Sequence, residues 1–270
     1  MRHKIVELNP ERNVSLEVCA FNAVRPELPE APFDQLRPAI IICPGGGYTM
    51  LSEREADPVA IAFQRFGFQC FILRYSIREH STFPNPAVDV LRSVRWVRAN
   101  AAEYGVNPEQ VTVLGFSAGG HVTALSGTMH DRPEVLEAEQ AEYDDLFEFS
   151  PRPNAIVPSY AVFSADWELP ADNIMRVDTI SAVGPHVPPA FVWTTGTDGT
   201  VPASQSLRFV NALAEHGVPF EYHHFAHGVH GLSTSDPLSC GPDMPTPENA
   251  HTWVELCARW LRVVLDAPLR

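Results

Sequence analysis

Five consecutive residues of this 270-residue chain, Gly115-Phe116-Ser117-Ala118-Gly119, carry a pattern that can do chemistry. A serine hydroxyl is a weak nucleophile until a base takes its proton, and it must stand clear of its neighbours to reach a carbonyl carbon. Gly-x-Ser-x-Gly meets the second need when it joins a strand to a helix, because the serine then occupies the tip of a sharp, strained turn. Here the apolar run Val111-Thr112-Val113-Leu114 precedes it, and a segment that reads as a helix, 118–129, follows. Glycines two before and two after the serine remove the Cβ atoms that would block so close a passage of helix under strand. The helix start also aims free N–H groups and the positive dipole end at the place where negative charge develops. The competing reading is a glycine-rich turn with an incidental serine, and the remaining residues separate the two.

The base and its orienting acid are expected later in the chain, at the C-terminal ends of later strands. The strand-like Phe191-Val192-Trp193-Thr194-Thr195 runs into Gly196-Thr197-Asp198-Gly199, which puts Asp198 in such a loop. The last strand runs into Ala226-His227-Gly228-Val229-His230-Gly231-Leu232, which offers two histidines. His230 lies farther into the loop, where a side chain can reach back toward Ser117 and Asp198, and His227 is expected at the rim. Donors for an oxyanion are expected from Pro44-Gly45-Gly46-Gly47-Tyr48, directly after the β-branched run Ala39-Ile40-Ile41-Ile42-Cys43, and from the amide of Ala118. A phosphate-cradling loop is the alternative, but no Lys-Ser/Thr follows and no G-x-G-x-x-G continues it. A side chain at Gly47 is expected to clash with the ester or turn the N–H away. Tyr48 is a candidate for the substrate pocket, with a core role as the alternative. Trp167 is a second pocket candidate, whereas Trp193, in mid-strand, points to core packing.

Other charged and titratable groups carry blander readings. Leu51-Ser52-Glu53-Arg54-Glu55 reads as a structural ion pair or helix start, with contact to a polar substrate as the alternative. His121 reads as a core or supporting residue. His223, His224, His227 and His230 cluster in sequence, but H-E-x-x-H is absent, and adjacent strand residues point to opposite faces. Neither a metal nor a cofactor is expected.

Taken together, Pro44-Gly45-Gly46-Gly47-Tyr48, Gly115-Phe116-Ser117-Ala118-Gly119-Gly120-His121, Asp198-Gly199-Thr200-Val201-Pro202 and His230-Gly231-Leu232 resemble the motifs of α/β-hydrolase esterases. The resemblance is to the acetyl-xylan-esterase-like branch, the BD-FAE group, and runs in order from about residue 38 to 235. It implies an α/β-hydrolase fold with Ser117 as nucleophile, Asp198 as acid, His230 as base, and Gly46, Gly47 and Ala118 as oxyanion donors. One departure stands out. The wider hormone-sensitive-lipase-like group has His before its three glycines, and this chain has Pro44, so the hydrogen bond that anchors the loop must differ. The implied activity is serine carboxylester hydrolysis of short acyl groups such as acetyl, carried by a carbohydrate or similar alcohol. A binding protein on the same fold that has lost catalysis is the alternative, and the presence of every catalytic element weighs against it. A lipase or peptidase is the rival among enzymes, and neither a large apolar cap nor a propeller-sized extra domain is visible.

The elements that must position these residues alternate strand with helix. Two strands open the chain, at 3–8 and 14–22. The 39–43 run has the continuous β-branched character of a parallel strand buried on both faces. A helix is expected from Pro58 with Asp57 as its cap, and a strand over 68–73. Val88, Leu91, Val94, Val97, Ala101 and Tyr104 mark one long amphipathic helix. Strands at 155–163, 190–195 and 220–225, a helix at 203–216 and a terminal helix along Trp253, Leu256, Cys257, Trp260, Leu261 and Val264 complete one α/β domain over 1–270, with a mostly parallel sheet and helices on both faces. Segments 131–154 and 166–189 break the rhythm and are candidates for lids or plain surface loops.

Composition sets outer bounds. Lys+Arg of 19 against Asp+Glu of 33 gives a net charge of −14, which repels nucleic-acid backbones and anionic membranes. The expected partner is a small-molecule ester, and association into a homo-oligomer stays open. The five cysteines form no C-x-x-C pair, and Cys19, Cys43 and Cys70 fall in predicted strands as small apolar residues. Residues 1–7 have no apolar core of signal-peptide length, and no stretch approaches a membrane span, which points to the cytoplasm.

Overall fold

The computed structural model describes residues 2–21, 36–143, 145–165, 169–170, 172–241, 244, 247 and 249–267. Trp167 and residues 22–35 of the proline-rich loop lie outside them.

Eight strands form one sheet: β1 (Arg2–Asn9), β2 (Val14–Ala20), β3 (Arg37–Cys43), β4 (Gln69–Arg74), β5 (Val106–Phe116), β6 (Ala155–Ser159), β7 (Ala190–Thr195) and β8 (Phe220–Phe225), in the spatial order β1-β2-β4-β3-β5-β6-β7-β8. β2 runs antiparallel to both β1 and β4, and every pair from β4 through β8 is parallel. β3 explains why these strands are apolar throughout. Ile40 and Ile42 pack on one face and Ile41 on the other, all fully buried. The chain steps from β3 outward to β4 and then back across β3 to β5. The direction of winding therefore reverses between β3 and β5, and the open crevice of such a sheet lies at the strand ends beside that reversal. The loops that leave β3 and β5 there hold the three glycines and Ser117.

Helices cover both faces. Helices α2 (Asn85–Ala99), α4 (Ala118–Thr128) and α6 (Ala203–Glu215) pack with Ile41, Val113 and Val192, whereas α1 (Asp57–Gln64) and α7 (Trp253–Val264) pack with Ile40, Ile42 and Trp193. Three expectations need correction. Asp57 is the first residue of α1 and not its cap; Ala56 holds the cap position with no side-chain hydrogen bond. The long helix past residue 85 breaks at Asn100 and resumes only as α3 (Ala101–Tyr104), with Asn100 Nδ2 donating back to Trp96 O at 2.8 Å. The strand expected over 155–163 ends at Ser159, because Tyr160 takes φ 33 and turns the chain out of the sheet.

Segment 131–154 contains α5 (Pro133–Glu142) and is stitched to α2 by buried arginines. Arg95 pairs with Glu139 at 2.9 Å, Arg92 with Asp145, and Arg98 donates to Pro108 O, Ser150 O and Asn154 Oδ1. Segment 172–189 contacts the serine helix instead, where Val177 O accepts from His121.

Candidate active site

Ser117 sits where β5 ends and α4 begins, with φ 52 and ψ −117, a conformation that a non-glycine residue adopts only under strain. The flanking glycines are sterically required. A Cβ on Gly115 would lie 2.2 Å from Gly119 O, and one on Gly119 would lie 2.0 Å from Cys43 O, so strand, helix and the end of β3 meet in backbone contact.

The structure brings Asp198 and His230 to this serine. Ser117 Oγ lies 2.8 Å from His230 Nε2, and His230 Nδ1 lies 2.7 Å from Asp198 Oδ2. Asp198 also accepts the amides of Thr200 at 2.8 Å and Val201 at 2.9 Å, and its side chain is fully buried. Desolvation pushes its carboxyl upward, but the hydrogen bond and charge of His230, with the two amides, outweigh that and hold it below its ordinary value. An ionised carboxylate only accepts, so Nδ1 carries the imidazole proton and Nε2 is free to accept the serine hydroxyl. The two loops are clamped together behind the pair. Thr195 Oγ1 and Thr197 Oγ1 donate to Gly228 O at 2.8 and 3.1 Å, and Gly228 N–H returns to Thr197 Oγ1 at 2.8 Å. His227 is exposed, and His230 is the histidine hydrogen-bonded to Ser117.

The glycine loop closes the other side. Gly46 takes φ 133 and Gly47 φ 62, and the N–H groups of both meet no acceptor among the described residues. Gly45 comes close to the serine, and a Cβ on it would lie 3.1 Å from Ser117 Cβ. Its own N–H is taken by Glu55 Oε2 at 2.8 Å. Among protein atoms a Cβ on Gly47 meets nothing within 4 Å, so only a bound ester or the backbone angle could oppose one there. The tight position is Gly46, where a Cβ would lie 2.2 Å from Met50 O. Ala118, first residue of α4, has an amide with no intrahelical partner.

The sequence matches the BD-FAE family over residues 28–164, half of the chain. The chain belongs to the BD-FAE family. It is 30% identical over 219 residues to endo-1,4-beta-xylanase B of Butyrivibrio fibrisolvens, covering 75% of this chain but only 34% of that protein. Among solved structures it resembles an acetyl ester-xyloside bifunctional hydrolase from Caldicellulosiruptor lactoaceticus, with TM-score 0.78, 31% identity and coverage of 95% of this chain and 89% of the other. It also resembles a carboxylesterase from Lactobacillus plantarum, with TM-score 0.84, 27% identity and coverage of 97% and 98%.

This BD-FAE chain anchors its glycine loop without a histidine before the glycines. Tyr75 Oη donates to Pro44 O at 2.7 Å, Glu55 takes Gly45 N–H, and Tyr48 Oη bonds His121 Nδ1 at 2.8 Å. Tyr48 therefore turns inward at 3% exposure, beneath the loop and not into the crevice. His121 is fully buried and also bonds Val177 O at 2.9 Å. Burial lowers its pKa to about 4 against the opposing pull of that carbonyl, so the ring is neutral and accepts the tyrosine proton. Trp193 is a core residue, with Nε1 donating to Ser159 Oγ at 2.8 Å and its ring stacked on Trp253.

Two residues at the site were not singled out from sequence. Glu55 was read only within a charged phrase, and Tyr160 only as one more apolar position of a strand. Both are buried beside the crevice, and the contacts that reveal them join residues 105 apart. Among the described residues, no three His, Cys, Asp or Glu side chains converge as metal ligands, and no helix is long and apolar enough to cross a membrane.

Proposed function

We propose that this protein is a serine carboxylester hydrolase that removes short acyl groups, acetyl above all, from a carbohydrate or similar alcohol. The observation that carries the reading is the single imidazole of His230, hydrogen-bonded to Ser117 on one nitrogen and to Asp198 on the other. In the mechanism, His230 Nε2 takes the proton of Ser117 Oγ as that oxygen attacks the ester carbonyl carbon. The resulting oxyanion is met by the amides of Gly46, Gly47 and Ala118. The tetrahedral adduct collapses, His230 returns the proton to the departing alkoxide, and an acyl-serine remains. Water then repeats the attack with His230 as base, releasing the carboxylic acid and restoring Ser117. Asp198 keeps the imidazole in one tautomer and balances its charge while protonated.

The names of the family relatives support an acetyl ester on a sugar. All eight strands share one sheet, so the chain is read as one domain, with segment 131–154 bracing α2 and segment 172–189 supporting the rim. Ser117→Ala should lower turnover of 4-nitrophenyl acetate by roughly 10³-fold or more while the protein stays folded. His230→Ala should do the same, and His227→Ala should retain most activity. Turnover near the wild-type rate in Ser117→Ala would remove the nucleophile assignment. Acetylated xylo-oligosaccharides assayed against acetate, butyrate and octanoate aryl esters test the substrate class.

A further inference from the structure

Glu55 is a carboxylate at 4% exposure that forms no ion pair among the described residues. Burying a charge without a counter-ion opposes folding unless hydrogen bonds replace its hydration, and an apolar side chain of the same size would often be the more stable choice. Its position is therefore not explained by stability alone.

Each oxygen of Glu55 is taken by a donor from a different part of the site. Oε2 accepts the Gly45 N–H at 2.8 Å, in the loop whose next two amides meet no acceptor among the described residues. Oε1 accepts the Tyr160 hydroxyl at 2.5 Å, on the residue that follows β6. The Tyr160 oxygen in turn accepts the Ser233 N–H at 3.0 Å, three residues past His230. Ser233 Oγ closes the circuit by donating to Arg54 O at 2.5 Å, and Arg54 Nη2 donates to Gly231 O at 2.7 Å. Tyr160 is held at φ 33, a backbone state seen where surrounding contacts over-determine it. Its ring meets the His230 ring edge-on at 5.2 Å between centroids. Gly45 lies between the carboxylate and the nucleophile, because a Cβ on it would stand 2.7 Å from Glu55 Oε2 and 3.1 Å from Ser117 Cβ.

We propose that Glu55 is a positioning residue, whose two oxygens hold the oxyanion loop through Gly45 and the histidine loop through Tyr160 and Ser233 in one register before substrate arrives. The proposal rests on the Ser117–His230–Asp198 reading above. Glu55 touches no reacting atom and transfers no proton. Its effect is geometric: preset donors need no reorganisation as the oxyanion forms, and a misplacement of about 1 Å costs on the order of 10²-fold in rate.

The test is Glu55→Gln, which keeps the shape but cannot accept from both donors. With 4-nitrophenyl acetate, kcat should fall roughly tenfold to a hundredfold while KM stays within about twofold, at a temperature below the variant's melting point. Tyr160→Phe breaks the same link from its other end, leaves the ring on His230, and should show the same split. If Glu55→Gln does not fold, Tyr160→Phe decides. A folded variant with wild-type kcat, or with a change confined to KM, overturns the proposal. Failure of the underlying reading would show separately, as Ser117→Ala that still turns over.

Discussion

The serine elbow and the glycine loop lie against each other and reach their shapes by opposite routes. The elbow is built from neighbours in sequence. Gly115 clears Gly119 O and the Thr123 side chain, and the strained φ of Ser117 is imposed by the strand before it and the helix after it. The glycine loop folds on itself only in part, through Thr49 and Met50 amides on Gly46 O and the Ser52 amide on Gly45 O. Its orientation comes from Tyr75, Glu55 and His121, which lie 31, 10 and 73 residues away from their partners in the loop. A strained serine turn can thus be encoded by local sterics, whereas a run of three glycines must borrow its aim from the core.

The tightest backbone contact of the elbow, at Gly119, gives the sharpest way to break that contrast. Gly119→Ala places a Cβ 2.0 Å from Cys43 O, so either the helix start or the end of β3 must move. The expected result is the largest of this set, a stability loss of about 3 kcal/mol or more together with lost turnover. Thermal melting and kcat on the same sample check it, and a variant with wild-type values in both would deny that the contact matters.

Within the glycine loop, Gly46→Ala should come next. Its Cβ would lie 2.2 Å from Met50 O at a φ that excludes side chains, so the amides turn away from the oxyanion. A loss of roughly 2–4 kcal/mol in transition-state binding is expected, seen in kcat and not in KM.

The borrowed anchor has a pH signature. His121 has its folded pKa depressed from 6.5 to about 4, so the unfolded chain binds a proton in that interval and the folded protein does not. The stability that His121 contributes is present above about pH 6.5 and is lost as pH falls toward 4. That amounts to at most about 3 kcal/mol by linkage. His121→Asn should flatten this part of the stability-against-pH curve, measured by urea unfolding. An unchanged slope would reject the buried neutral imidazole.

Gly47→Ala should be the mildest change. No protein atom lies within 4 Å of the added Cβ, and only the left-handed φ of 62 opposes it, about 1 kcal/mol. Tyr48 already holds φ 58 in the next position. A loss in kcat as large as that of Gly46→Ala would mean that the ester itself occupies the space.

What could be read in the sequence divides along the same line. β3 was legible because burial on both faces leaves an unbroken β-branched run, and α7 because one apolar stripe repeats at helical spacing. The elbow was legible for the reason given above. Asp57 misled because a capping residue and a first-turn acid look alike until backbone angles are known, and Asn100 because a helix break needs no proline when the side chain can bond the backbone four residues earlier.

By itself the sequence determined the element order, the strained serine turn and the presence of a later acid and histidines, since each depends on residues within a few positions of one another. Tertiary structure alone decided that Tyr48 turns inward and that Glu55 and Tyr160 bind the loops of the site together. Those outcomes rest on hydrogen bonds between groups that only the folded sheet brings within 3 Å, and a local pattern carries no record of which distant donor will meet which acceptor.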